Sequence, residues 1–189
     1  MILAAFRRSP ARRSIHALYG AIVAQARYPA FYTSYGVPDT VEGRFDLIVL
    51  HLVLVLHRLD REGETPDGIG RGPAGDAGQQ LFDTFCRDLD ANLREMGVGD
   101  LAVPKRMQGF GEAFYGRLRA YRAAFACVND RELENALARN IFGVAGGDDR
   151  AVRLARYARA AAAQLAAAAV GALLAGTMIF PRPETFVDA

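Results

Sequence analysis

Between Gln79 and Arg117 apolar and polar positions alternate at helical steps on both sides of one short turn. Leu81, Phe82, Phe85, Leu89, Leu93 and Met96 recur every three or four residues, one apolar stripe on a helix. The opposite face carries Asp83 before Arg87 and Asp90 before Arg94, acid-first pairs at i,i+4 worth about 0.2–0.5 kcal/mol each. Gly97 suits a left-handed helix cap, and Gly99 and Pro104 keep the connection short. A second helix is expected from about Pro104 to Cys127, with Met107, Phe110, Phe114, Leu118, Tyr121 and Phe125 facing inward.

Upstream, Ser14 reads as an N-cap before Ile15, Leu18, Tyr19, Ile22, Val23 and Ala26 at helical spacing. Pro29 disfavours helix at Tyr28 and ends this element near Arg27. Four aromatics follow, Tyr28, Phe31, Tyr32 and Tyr35, either a packed loop or a binding surface, since tyrosine suits both. Asp39 and Glu42 have capping-box spacing before the apolar run from Phe45 to Leu59. Its β-branched residues allow a buried strand. The cap in front and the few polar positions (Asp46, His51, His57, Arg58) favour a central helix buried nearly all round. The run is short of the ~20 apolar residues a membrane span needs.

Residues 62–78 are rich in glycine and proline and predict a mobile surface loop. Gly70, Gly72 and Gly75 form G-x-G-x-x-G there, but about a dozen residues separate the motif from the apolar run and Pro73 takes one of its variable positions, so the match reads as chance. Asn129 and Glu132 repeat the capping-box spacing before a helix that Gly143 ends. Asp148 and Asp149 are placed to cap a last, alanine-rich helix from about Arg150 to Met178. Alanine contributes little to membrane insertion, and Gln164 and four arginines interrupt the pattern, so this helix reads as soluble. The chain is therefore expected to be all-α: a single-domain bundle of about six to seven helices over residues 14–180. Residues 1–13 would form a basic N-terminal tail and 181–189 a C-terminal one.

Composition narrows function by exclusion. The 189 residues are 51% hydrophobic and 23% charged, which suits a globular core, and a net charge of +2 gives no global pull toward nucleic acid. Cys86 and Cys127 are too few for a disulfide scaffold or a four-ligand zinc site and read as buried reduced thiols. The N-terminus places apolar residues before its arginines, the reverse of a secretory signal. Its cluster Arg7, Arg8, Arg12 and Arg13 reads as a solvated terminus or as a foot on anionic lipid or ribosomal RNA. His51 and His57 lie about 240° apart on a helix and cannot share a metal. Asp88 and Asp90 point about 200° apart, unlike the paired carboxylates of an isoprenoid-binding enzyme. No nucleophile elbow or Walker loop appears. No enzyme, cofactor or metal is called for, and the function narrows to binding.

The stretches LREMGVGDLAVPKRMQGFGEAFYGRLRAY, YGAIVAQARYPAFYTSYGVPDTVEGRFDLIVLHLVLVLHRL and LARNIFG together resemble the ubiquinol–cytochrome c chaperone family. These are the bacterial relatives of mitochondrial assembly factors for the cytochrome bc1 complex. The resemblance implies a non-catalytic, all-α chaperone whose client is newly made cytochrome b. It also implies a cytoplasmic place, with peripheral contact at the inner membrane face, and in mitochondrial relatives a small partner subunit and proximity to the ribosome. A holdase needs aromatic surface with charges that set register. The candidates are Tyr28, Phe31, Tyr32 and Tyr35 on one side, and Arg94, Asp100, Lys105, Arg106, Phe114, Tyr115 and Arg117 around the hairpin turn. Phe114 reads equally as core, and Arg94 as a brace of the turn. The alternative from another class is an all-α enzyme or carrier for an isoprenoid- or quinone-like ligand.

Overall fold

The computed structural model describes residues 10–63, 73–175, 177 and 180–187. Its centre is a helix here called α3, Val41–Gly63, which settles the strand-or-helix ambiguity in favour of helix. Thr40 starts it: its Oγ1 accepts from the Gly43 N–H at 3.1 Å, satisfying one orphan donor of the first turn. This corrects the capping box expected from Asp39 and Glu42, because the Asp39 carboxylate instead accepts from Arg44 Nε at 2.7 Å. From Leu47 to Val55 only Ile48 shows appreciable surface, so α3 is covered on every side.

The covering helices are amphipathic. Helix α1, Pro10–Ala26, opens earlier than Ser14, because proline is favoured in a first turn that needs no N–H donor. It buries Ile15, Leu18, Ile22 and Ala26 against α3. A one-turn helix α2, Pro29–Thr33, follows where an irregular segment was expected. Helix α4, Pro73–Glu95, begins inside the expected loop, making residues 73–78 helical. Gly70 and Gly72 of the glycine motif lie outside the described residues. Gly97, at φ +78°, closes α4: its N–H donates to Arg94 O and that of Val98 to Leu93 O, both at 3.0 Å, the paired bonds of a Schellman cap. Helix α5, Val103–Ala126, completes the hairpin near the expected bounds.

Helix α6, Arg131–Ile141, is preceded by Asp130, whose side chain makes no capping bond; this replaces the box expected from Asn129 and Glu132. Asp130 instead meets Arg159 at 2.8 Å. Helix α7, Asp149–Ala167, is capped as expected by Asp148, which accepts from the Arg150 N–H at 2.8 Å. Buried Ala151, Ala155, Ala158 and Ala161 let α7 lie close on α3 and α6. The helix expected to continue to Met178 stops at Ala167, Ala168 is extended, and a short α8, Val170–Leu174, resumes. Arg58 of α3 fastens this break, donating to Leu165 O at 3.0 Å and Ala168 O at 3.1 Å. Beyond it Phe180 and Pro183 are buried, so residues of the expected C-terminal tail lie against the bundle. Among the described residues no helix is long and apolar enough to cross a membrane.

Arg159 closes α5 as Arg58 closes α7. Its guanidinium donates to the carbonyls of Ala124, Phe125 and Cys127 at 3.2, 3.1 and 2.9 Å and stacks 5.3 Å over the Phe125 ring. Carbonyls at a helix end lack their i+4 donors; Ala124 O also accepts from the Cys127 N–H at 3.2 Å, and the guanidinium serves the others. Arg159→Ala should therefore lower unfolding free energy by about 2 kcal/mol, with Arg159→Lys recovering only part because an ammonium lacks the fork. Equal urea midpoints for wild type and Arg159→Ala would refute the capping role.

Candidate functional site

The aromatic segment divides by burial. Phe31 and Tyr35 are 0% exposed and belong to the core, which corrects their expected place on a contact surface. The left-handed turn at Gly36, φ +70°, follows Tyr35 as the chain reverses over the bundle. The Phe31 ring stands 4.9 Å from Tyr157 and 5.4 Å from His51, and Tyr35 donates its hydroxyl to Pro183 O at 2.6 Å. Burial pushes the Tyr35 phenol up to about 12. Tyr28 and Tyr32 are half-buried, and Tyr32 donates to Ala26 O at 2.8 Å, fixing α2 to the end of α1.

The hairpin candidates divide in the same way. Phe114 is 2% exposed, its ring 4.7 Å from Phe82, and is core. Tyr115 flanks it at 46% exposure. Arg94 bridges Asp90, at 2.8 Å, and Asp100, and so braces the turn. The companion pair expected between Asp83 and Arg87 is not made: Arg87 Nε donates to the Asp83 carbonyl, and Asp83 Oδ1 accepts from Gln79. Arg117 reaches inward, its Nη2 2.7 Å from Asp46 Oδ1 but off the hydrogen-bonding angle, and ties α5 to α3. Burial pushes the Asp46 carboxyl up to about 6, against the pull of Arg117. Lys105 and Arg106 are exposed in the first turn of α5 and make no ion pair among the described residues.

Beside Arg106 the bundle is concave. Two hollows of about 370 and 140 Å³ meet at Phe45 and Phe110, between the start of α3, the end of α4 and the start of α5. Ile48, Leu89 and Leu93 extend the floor, and Val41 and Met96 stand 52% and 54% exposed beside it. Leu101, at the tip of the turn, is 99% exposed. Arg106 lines one hollow, and Arg27 and Arg44 the other. Burial raises the Tyr32 phenol above its ordinary value, with Arg44 and Arg27 pulling the other way. Sequence reading missed the groove because Met96 and Phe110 sit at core-facing steps of their helices. They are left half-covered where the bundle ends.

A third concavity, about 480 Å³ between α1 and α4, is lined by His16, Gln80, Asp83, Thr84, Cys86 and Arg87 with Ile15. Its polar groups largely satisfy one another: Arg87 donates to Thr84 Oγ1, and Thr84 to Gln80 O. Among the described residues no group of three or more His, Cys, Asp or Glu side chains is placed to hold a metal.

Fold and site define an all-α protein that presents an open apolar groove, edged by arginines, at one end of a helical bundle. The chain belongs to the ubiquinol-cytochrome C chaperone family, which matches residues 33–180. It is similar to the Cbp3 homolog from Brucella abortus, whose crystal structure shares 35% identity and a TM-score of 0.79 over 98% of this chain and 99% of that one. It is also similar to ubiquinol-cytochrome-c reductase complex assembly factor 1 of Xenopus laevis, 24% identical over 137 residues, which are 72% of this chain. That match spans 64% of the frog protein's own length.

Proposed function

We propose that this protein is a non-catalytic assembly chaperone that holds newly made cytochrome b during biogenesis of the cytochrome bc1 complex, working in the cytoplasm and at the inner face of the membrane. Family membership over residues 33–180 carries this reading. The exposed groove supports it physically, since a holdase needs apolar surface that its own fold leaves open. An isoprenoid- or quinone-handling enzyme would show an enclosed apolar cavity faced by paired carboxylates. Here Glu42 and Asp46 do line one hollow, a turn apart, but Asp46 is taken by Arg117 and Glu42 stands in solvent. Asp88 likewise accepts from the Tyr19 hydroxyl at 2.8 Å, and Asp90 from Arg94.

Pull-down of the tagged protein from cells should recover unassembled cytochrome b, and a deletion strain should lose assembled bc1 complex. Soluble metabolic partners alone, with normal bc1 levels, would sink the assignment. Lys105→Glu with Arg106→Glu should weaken capture without lowering stability. Cations in a helix's first turn oppose its dipole by about 0.3–1 kcal/mol each, so acids there leave the melting temperature unchanged or raise it. Undiminished capture by the double variant would remove the turn from the contact surface.

A further inference from the structure

The C-terminal segment sits on the bundle as a bound peptide would. Phe180 and Pro183 are buried and Phe186 is half-buried, while Arg182, Glu184 and Thr185 stand in solvent. The inward positions thus recur every third residue, the period both of polyproline II and of a 3-10 turn. The segment uses one and then the other: Arg182 lies at φ −69°, ψ 124°, and Pro183–Phe186 form the 3-10 turn. Gln25 near the end of α1, Tyr35 just after α2 and Tyr157 of α7 receive it, with His51 of α3 beneath. None of these residues lines the hollows at Phe45 and Phe110.

This surface reads backbone carbonyls. The Gln25 side-chain amide donates to Pro181 O and to the Tyr157 hydroxyl, both at 3.1 Å. Tyr35 donates to Pro183 O at 2.6 Å. Phe180 stands edge-on to His51 at 5.0 Å, and Phe186 edge-on to Tyr157 at 6.1 Å. Prolines at 181 and 183 bring acceptors without N–H groups, so nothing in this aromatic surface has to accept from them. Rings with hydroxyl and amide donors aimed at carbonyls are the equipment of a groove for proline-rich segments. Arg182 and Glu184 make no ion pair among the described residues, so the segment is held by those two side-chain bonds and its apolar anchors. Terminal segments held this lightly open locally, well below the free energy of global unfolding. When it lifts, Gln25 and Tyr35 stay on the bundle, and a replacing ligand must bring carbonyls to the same places or leave buried donors unpaired. We propose that this surface binds an extended segment of a partner protein, Phe-Pro-x-Pro-x-x-Phe in pattern, and that the chain's own residues 180–187 cover it until one arrives. It is a second contact surface, independent of the groove beside Arg106.

The test uses the full chain and a labelled synthetic peptide of residues 180–187, followed by fluorescence anisotropy. Wild type should bind it weakly, because its own segment competes at an effective concentration on the order of millimolar. A Phe180→Ala/Pro183→Ala double variant, whose segment has lost its buried ring and its buried proline, should bind the peptide about tenfold or more tightly than wild type. Adding Tyr35→Phe, which keeps the ring and removes the donor, should weaken that binding about fivefold. Replacing both prolines of the peptide by alanine should weaken it about as much, since the peptide backbone is freed and gains two N–H groups. If the double variant loses its cooperative melt, Phe180→Leu serves instead: it keeps an apolar side chain in the slot and should raise peptide affinity about threefold. No saturable binding to a cooperatively folded variant, equal binding to wild type and variant, or indifference to Tyr35→Phe would overturn the proposal and make the segment a fixed part of the core. A wild-type dimer that dissociates in the double variant would also overturn it, since the surface would then take the segment of a second copy.

Discussion

Gly43→Ala should cost about 3 kcal/mol of unfolding free energy, although the site is the first turn of a helix, where alanine ordinarily helps. A Cβ at Gly43 would be driven into the carbonyl oxygen of Pro38, far inside any real carbon–oxygen contact, with Pro38 C at 3.1 Å behind it. The obstacle is backbone, so no rotamer change relieves it. Nor is that backbone free to retreat: Val37 is 2% exposed and its N–H donates to Phe31 O at 3.0 Å, so moving it uncovers the core under α2. The alternative, shifting the start of α3, breaks the Thr40 cap. Gly109→Ala is the matched control and should stabilise by up to about 1 kcal/mol, because its Cβ would stand in open space. A Gly43→Ala variant within about 0.5 kcal/mol of wild type in urea titrations would show that this approach is not close in solution.

How much was legible follows from how local each cause is. The Gly97 stop and the Asp148 cap are decided by a few neighbouring residues, and both stand where the sequence places them. The end of α7 is not local: an alanine run carries no stop signal, and the break is braced by Arg58 from α3, 107 positions away. The capping boxes at Asp39 and Asn129 failed for a related reason. Asp39 was drawn to Arg44, and the cation engaging Asp130 is Arg159, from another helix. Site residues were harder still. Periodicity assigns Phe45, Phe110 and Met96 to inner faces without saying where the bundle ends. It leaves Phe31 and Tyr35 ambiguous until the packing of α2 buries them. What did show in sequence was the turn itself, where Lys105 and Arg106 open a helix, and the groove lies beside it.

Stability should fall by up to about 3 kcal/mol as pH drops from 6.5 to 4, through His51 alone. His51 is wholly buried on α3: the Leu47 carbonyl at 2.7 Å can only accept, so Nδ1 carries the proton and Nε2 accepts from the Tyr157 hydroxyl at 2.7 Å. Burial pushes its pKa from the ordinary 6.5 down to about 4, with the Leu47 bond opposing. The rings of Phe31, Tyr157 and Phe180 surround it, and no carboxylate pairs with it among the described residues. The unfolded chain thus takes up this proton near 6.5 and the folded one only near 4. The contribution is complete above 6.5 and is lost as pH falls toward 4. Asp46 works with the opposite sign, since its raised pKa makes its contribution full below 3.8 and lost as pH rises through 6. The observable is therefore the difference between wild type and His51→Gln, which keeps a donor and an acceptor without a titrating ring. That difference should be constant above pH 6.5 and move against wild type between 6.5 and 4. Hydrogen exchange should show the C-terminal segment loosening first, because Phe180 stands edge-on to His51 at 5.0 Å, and Gln25, which donates to Tyr157, also holds Pro181 O. A flat difference across that range would mean that His51 is hydrated in the folded state and that the C-terminal segment does not seal it.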